Sequence, residues 1–222
     1  MKKFIRIILT ALALFLLLSI GTVILYRFIP VPVTPLMLIN KATDGTPINY
    51  RWVPIEKITP NLSLAVIASE DNRFMQHNGF DLKEIKKARE EAKAGTRFRG
   101  ASTISQQTAK NLFLWPDRTW LRKGLEAYFT VLIELFWDKK RIMEAYLNCI
   151  EMGDGIYGAA AVAQKNFGTT PDKLTAGQCA LIAATLPNPL RFNSAKPSKY
   201  VLKRKSDILK NMNNLPKNLK LQ

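Results

Sequence analysis

Two glutamates, Glu70 and Glu126, stand among residue types able to manage charge at a reacting centre. Polar and titratable side chains crowd Ser69-Glu70-Asp71-Asn72-Arg73-Phe74-Met75-Gln76-His77-Asn78-Gly79-Phe80-Asp81 and Gly100-Ala101-Ser102-Thr103-Ile104-Ser105-Gln106-Gln107-Thr108-Ala109-Lys110-Asn111. A plain folding segment would alternate apolar and polar positions there. Paired carboxylates are the usual instrument for reactions at a sugar anomeric carbon. A glycosidase must protonate a poor alkoxide leaving group and so needs a carboxylic acid held neutral. A transferase that expels a diphosphate already has a stable leaving anion; it needs cations there and a base only at the acceptor hydroxyl. Arg122 and Lys123 lie within one helical turn of Glu126, and Lys110 closes the second block, which suits the transferase. Taken alone, Arg122 and Glu126 at i, i+4 also fit an ordinary helix ion pair worth a few tenths of a kcal/mol, roughly 0.2–0.5.

Such groups work only if secondary structure aims them. Thr59-Pro60 reads as an N-cap with proline at the first helical position, opening a short buried helix through Leu62, Ala65 and Val66 and placing Glu70 near its end. Asp81 with Glu84 and Thr103 with Gln106 form capping-box patterns, for a charged helix that Gly95 can stop and for one running to Leu114. In the second, Thr103, Gln107 and Lys110 share one face. Leu121, Leu125, Tyr128, Leu132 and Leu135 recur at helical intervals, predicting a long helix with a core-facing stripe. Asp138 can cap a helix ended by Gly153, and Thr175 with Gln178 one reaching Leu186; Gly153, Gly155 and Gly158 mark a turn between helices. Strand-like alternation is scarce, so the fold class is mainly α.

The chain has 222 residues, with 33 Lys+Arg against 17 Asp+Glu and a net charge of +16. That excess favours polyanions, whether nucleic acid, anionic lipid or phosphorylated substrates. Ile7 to Tyr26 is an uncharged run long enough to cross a bilayer, and Lys2, Lys3 and Arg6 before it predict a cytoplasmic N-terminus with the remainder outside. A retained span is favoured over a cleaved signal peptide, because the run is long and no small-x-small site follows it. Residues 1–28 are thus a stub and transmembrane helix, 29–47 a proline-punctuated extended linker, 48–197 the catalytic domain and 198–222 a basic C-terminal helix or tail. The tail reads as solvated, with contact to anionic headgroups as the sharper alternative. Cys149 and Cys179 read as buried free thiols, although an oxidising exterior would permit a bridge. His77 is the only histidine, cannot alone build a histidine-based metal centre, and reads as a structural hydrogen-bonding group. Phe74, Trp115 and Trp120 read as packing side chains.

Four motifs in order, Glu70-Asp71-Asn72-Arg73-Phe74-x-x-His77-x-Gly79, Gly100-Ala101-Ser102-Thr103-Ile104-x-Gln106-Gln107-x-x-Lys110-Asn111, Arg122-Lys123-x-x-Glu126 and Arg141-Ile142-x-Glu144-x-Tyr146-Leu147-Asn148, resemble those of the peptidoglycan glycosyltransferases, glycosyltransferase family 51. The likeness covers roughly Ile48 to Pro197 and is closest to the monofunctional members; no Ser-x-x-Lys of the bifunctional ones occurs in the chain. The resemblance implies a lysozyme-like helical domain behind one membrane helix, polymerising lipid II into glycan strands. It implies that Glu70 is the base at the acceptor GlcNAc 4-hydroxyl, which attacks the donor MurNAc anomeric carbon with inversion. Lys110, Arg122 and Lys123 would hold the departing diphosphate, and Glu126 would position the donor end, through a divalent cation (Mg or Mn) in some members. Asp71, Phe74, Gly100, Ser102, Thr103, Gln107 and Asn111 would contact substrate. It further implies a bacterial cytoplasmic (inner) membrane location with the domain periplasmic, no fixed cofactor or metal, cell-wall synthesis or division proteins as partners, and no nucleic acid. The rival readings are a muramidase or lytic transglycosylase using Glu70 as an acid, and a non-enzymatic scaffold or nucleic-acid binder.

Overall fold

The computed structural model describes residues 1–95, 100, 102–117 and 119–216. Ala101 of the second motif and the final stretch of the basic tail, 217–222, lie outside the described residues. In chain order the elements are α1 Lys2–Phe28, α2 Pro35–Asp44, β1 Asn49–Tyr50, α3 Pro60–Glu70, α4 Leu82–Lys93, α5 Ile104–Phe113, α6 Trp120–Phe136, α7 Lys139–Cys149, β2 Glu151–Gly153, β3 Ile156–Tyr157, α8 Gly158–Phe167, α9 Ala176–Thr185 and α10 Lys199–Asn214. The mainly α class predicted from the pattern is what forms.

Helix α1 is long and apolar enough to cross a membrane. Its first half projects free of the protein, but its second half is docked. Val23 is fully buried, the Ser19 hydroxyl lies 2.8 Å from the Tyr128 hydroxyl, and the Trp137 indole N–H donates to the Val23 carbonyl at 2.8 Å. The Arg141 guanidinium donates to the Tyr26 and Ile29 carbonyls at the helix end, while stacking over Trp52 at 4.8 Å. The segment expected to be an extended linker contains α2. Thr34 caps it, Pro35 occupies its first turn and Gly45 in the left-handed region (φ 67) stops it, so only the approach past Pro30 and Pro32 is extended.

Beyond the anchor, two groups of three helices enclose the core. Helices α3, α9 and α10 pack together on one side, and α5, α6 and α7 on the other. Helix α3 is apolar nearly all round, burying Leu62, Ala65, Val66 and Ile67, which fixes the backbone that ends in Glu70. Both predicted capping boxes at Thr103/Gln106 and Thr175/Gln178 form. At α4, Asp81 accepts from the N–H groups of Lys83 and Glu84.

Further expectations change. The predicted stripe on α6 faces the core only in part: Leu132 is buried and Leu125 and Tyr128 pack against the core, but Leu121 and Leu135 at its ends are exposed, while Arg122, Glu126, Phe129, Thr130 and Ile133 also point inward. The apolar side also meets α1, where Phe15 lies 5.6 Å from Tyr128 ring to ring. Helix α7 stops at Cys149, not Gly153, and the glycine turn is a β2–β3 hairpin extended by β1 in the order β1-β3-β2. Gly158 (φ 78) closes it, and a Cβ there would fall 2.1 Å from the Asn148 carbonyl oxygen. Finally, α10 is not a solvated tail, since Val201 and Ile208, seven residues apart, are buried against α3 and α9. Trp120, expected to pack, is 93% exposed, whereas Phe74 is fully buried. Cys149 and Cys179 are free and buried, and burial pushes both thiols up to about 12.

Candidate active site

Glu70, the last residue of α3, faces a cleft of about 260 Å3 that Asp71, Asn72, Gly100, Ser102 and Thr103 also line. Neutral groups hold its carboxylate: the Ser69 hydroxyl donates to Oε1 at 3.0 Å and the Gln107 amide to Oε2 at 3.1 Å. Gln107 is oriented in turn, because its Oε1 accepts from the Tyr146 hydroxyl at 3.2 Å. Burial pushes the Glu70 carboxyl above the usual carboxylate range, against the opposing pull of those two hydrogen bonds and of Arg204. A carboxyl so placed holds a proton more readily than an exposed one, which suits either a general base or a general acid.

One turn further along α5, roughly 5 Å of helix rise, lies a second cleft of about 300 Å3 lined by Lys110, Asn111, Arg122 and Leu36. Burial lowers the Lys110 ammonium pKa; its charged neighbours there are Glu126, Arg122 and Lys123. Glu126 is 3% exposed and doubly paired, with Arg122 Nη1 at 2.6 Å on Oε2 and Lys123 Nζ on Oε1. Lys110, Arg122 and, beside them, Lys123 outnumber the two carboxylates there, Glu126 and the cleft-lining Asp117, which leaves the cleft a net positive charge, the condition for holding a polyanion.

The sequence-derived residues thus divide. Glu70, Asp71, Gly100, Ser102 and Thr103 line the first cleft and Lys110, Asn111 and Arg122 the second; Gln107 reaches the first through Glu70, and Lys123 shares Glu126 with the cleft-lining Arg122. Several are already committed internally. Thr103 accepts from the Gln106 N–H and donates to the Gly79 carbonyl at 2.6 Å, and the Asn111 amide donates to the Gln107 carbonyl at 2.7 Å. Asp71 is a brace, accepting from His77 Nε2 at 3.0 Å and from the Ile104 N–H at 3.0 Å. Phe74 does not open on either cleft as a substrate contact; its ring lies in the core beneath the Lys139 ammonium at 4.6 Å.

The same commitments bear on a divalent cation. Both Glu126 oxygens are engaged by cations. Among the described residues, Asp71, His77 and Asp81 bring ligand atoms within 4.8 Å of one another. There Arg73 donates to Asp81 Oδ1 at 2.9 Å, and Asp71 is held as above. Neither set fits a cation without first releasing those bonds.

Two residues of the site were not singled out from sequence. Tyr146 sits inside a quoted motif, but its spacing there signals only a buried helix face. Arg204 comes from α10, 134 residues from Glu70 in sequence, and donates from Nη2 to the Ser69 hydroxyl oxygen at 3.2 Å. Nothing in a basic run marks which cation turns inward.

A model of the transglycosylase family matches residues 38–213. The chain is 56% identical over 213 residues to a biosynthetic peptidoglycan transglycosylase of Caulobacter vibrioides, covering 94% of this chain and 93% of that one. A relative of the same description from Bdellovibrio bacteriovorus is 52% identical over 207 residues, 91% of this chain and 83% of that one. One from Bacteroides thetaiotaomicron is 68% identical over 162 residues, 73% of this chain, and the match spans 65% of that relative's length.

Proposed function

This chain belongs to the transglycosylase family and is a peptidoglycan glycosyltransferase, and we propose that it extends glycan strands from a lipid-diphosphate-linked donor onto the GlcNAc 4-hydroxyl of lipid II. Glu70 takes the proton of that hydroxyl as its oxygen bonds to the donor anomeric carbon. The bond from that carbon to the diphosphate oxygen breaks, with inversion, and its electron pair stays on the leaving undecaprenyl diphosphate. Lys110, Arg122 and Lys123 hold the developing charge, because fixed cations in a partly buried cleft stabilise an anion without reorganising. Glu126 spaces those cations before substrate arrives.

The observation that carries this reading is the division of labour along α5. A carboxylate held by neutral donors faces one cleft, and Lys110 and Arg122, with Lys123 beside them, stand at the next, one helical turn away. A raised Glu70 also suits a general acid, as a lytic enzyme needs; the cation cluster argues against that, since an alkoxide leaving group calls for a proton and not for cations. The docked α1 supports a single-pass anchor at the outer face of the cytoplasmic membrane, fixing the domain close to a substrate whose tail stays in lipid. Incubation with lipid II and, separately, with finished glycan tests it. Lengthening chains from the first are expected; shortened chains from the second, with no growth from the first, would reject it.

A further inference from the structure

The basic run after Pro197 places one cation where no exposed face would. Helix α10 is capped by Ser198, whose hydroxyl accepts from the Val201 N–H at 3.3 Å, and it buries Val201 and Ile208. Arg204 lies between them on the inward side and reaches α3. Its Nε–H is buried without a partner, and among the described residues its side-chain hydrogen bond goes to Ser69. Burying a guanidinium with donors unpaired costs free energy, so packing alone does not account for this placement.

Ser69 explains it. Its hydroxyl can donate either to Glu70 Oε1 at 3.0 Å or to the Ala183 carbonyl at 3.3 Å. By donating to the Ser69 oxygen, Arg204 occupies a lone pair and polarises the O–H, strengthening its donation to the nearby anion. We infer that Arg204 is a positioning residue for the Glu70 base, acting through Ser69 to hold that carboxylate ionised and aimed into the cleft. This rests on the reading of Glu70 as a base, but its test does not depend on substrate.

The other groups facing Glu70 do not duplicate the role. Asp71 beside it opposes ionisation, Gln107 of α5 and Tyr146 of α7 are neutral, and α9 offers the Ala183 carbonyl. Arg73, Asp81, Glu84 and Lys87 also line the cleft but are not among the charges that act on Glu70 most strongly.

The test uses the full chain in detergent micelles. The Glu70 carboxyl carbon is followed by NMR against pH, assigned by its loss in Glu70→Gln. Arg204→Met is expected to raise the midpoint by roughly one pH unit, the scale of removing one nearby opposite charge. Arg204→Lys should return part of that shift, and Ser69→Ala, which removes both the hydroxyl donor and the route from Arg204, should move the midpoint the same way by at least as much. Lys203→Ala, an exposed neighbour on α10, should leave it in place. The acid limb of kcat/KM for lipid II polymerisation should move with the midpoint. An unmoved midpoint in Arg204→Met, or an equal shift in Lys203→Ala, overturns the inference; if Arg204→Met fails to fold, the Lys and Ser69 variants decide it. A wild-type chain that titrates as described yet extends no glycan would defeat the proposed function and leave this inference standing.

Discussion

Glu70 and Glu126 are both set into the same helical core, yet the protein treats them in opposite ways. Glu126 has a cation on each oxygen. Glu70 has a hydroxyl and an amide, and the Arg204 guanidinium reaches it at one remove through Ser69. A carboxylate locked between two cations is a poor base, because taking a proton means losing both pairs. One held by neutral donors in a desolvated place gains from a proton. The contrast teaches that identity as a glutamate decides little; what each can do is set by whether its partners carry charge.

The sharpest way to break the comparison is to remove the proposed base and keep its shape. Glu70→Gln is expected to lower kcat for lipid II polymerisation by about 10²–10⁴-fold, the usual worth of a general base, while far-UV circular dichroism and membrane retention stay as in the wild type. Activity within a few-fold of wild type would mean that the two carboxylates are not functionally distinct. Next in size, Lys110→Ala should cost about 10²-fold or more in kcat, the scale seen for losing one charge-stabilising donor in a transition state. If only KM rose, the second cleft would be a ground-state binding site.

A stability measurement reads the same contrast without substrate. Glu126→Gln leaves the buried Arg122 guanidinium without its partner, whereas the Lys123 side chain, 42% exposed, can turn to water. The expected loss is about 1–3 kcal/mol by denaturant unfolding, below the full 3–5 for a buried pair because one cation escapes. Glu70→Gln should behave oppositely with pH. The wild-type carboxyl titrates above its unfolded value, so the folded state binds the proton more tightly and wild-type stability declines as pH rises through that interval. The Tm of Glu70→Gln relative to wild type should therefore climb from pH 4 to pH 8; a flat difference would show that burial does not penalise this carboxylate.

How much of this was legible in the sequence follows from what each signal encodes. Caps and stops are local, so Thr103, Thr175 and Asp81 announced their helices correctly, and the Glu70 position at the end of α3 followed from Thr59-Pro60 and helix length. The second cleft was partly legible because Arg122, Lys123 and Glu126 share one turn. The side of α6 that turns inward was not. Apolar periodicity marks where water is avoided, and beside an apolar anchor that includes the surface facing α1 as well as the core. For the same reason buried Arg122 and Glu126 sat on what composition called the polar side. Asp71 was legible as a member of a motif but not as a brace, and for Phe74 the packing reading held while the substrate contact taken from the motif did not, since a motif records position and not contact. Arg204 was invisible because its partner lies 135 positions away, a pairing that only tertiary structure creates.

The smallest expected effect concerns what keeps Glu70 in neutral company. The Gln107 amide presents its N–H to Glu70 because its oxygen accepts from Tyr146. Tyr146 is buried, and burial pushes its phenol well above the ordinary range, so it stays a donor at any working pH. Tyr146→Phe keeps the ring and removes that one bond, at a cost of about 1 kcal/mol. The amide can then turn its oxygen toward Glu70, which an ionised carboxylate disfavours and a protonated one accepts as a hydrogen-bond partner. The variant should therefore lose a few-fold in kcat at neutral pH with KM unchanged, and its acid limb should move upward while the Lys110 side of the site is untouched. A loss uniform across pH would instead place Tyr146 in packing alone, and Glu70 would owe its aim to Ser69.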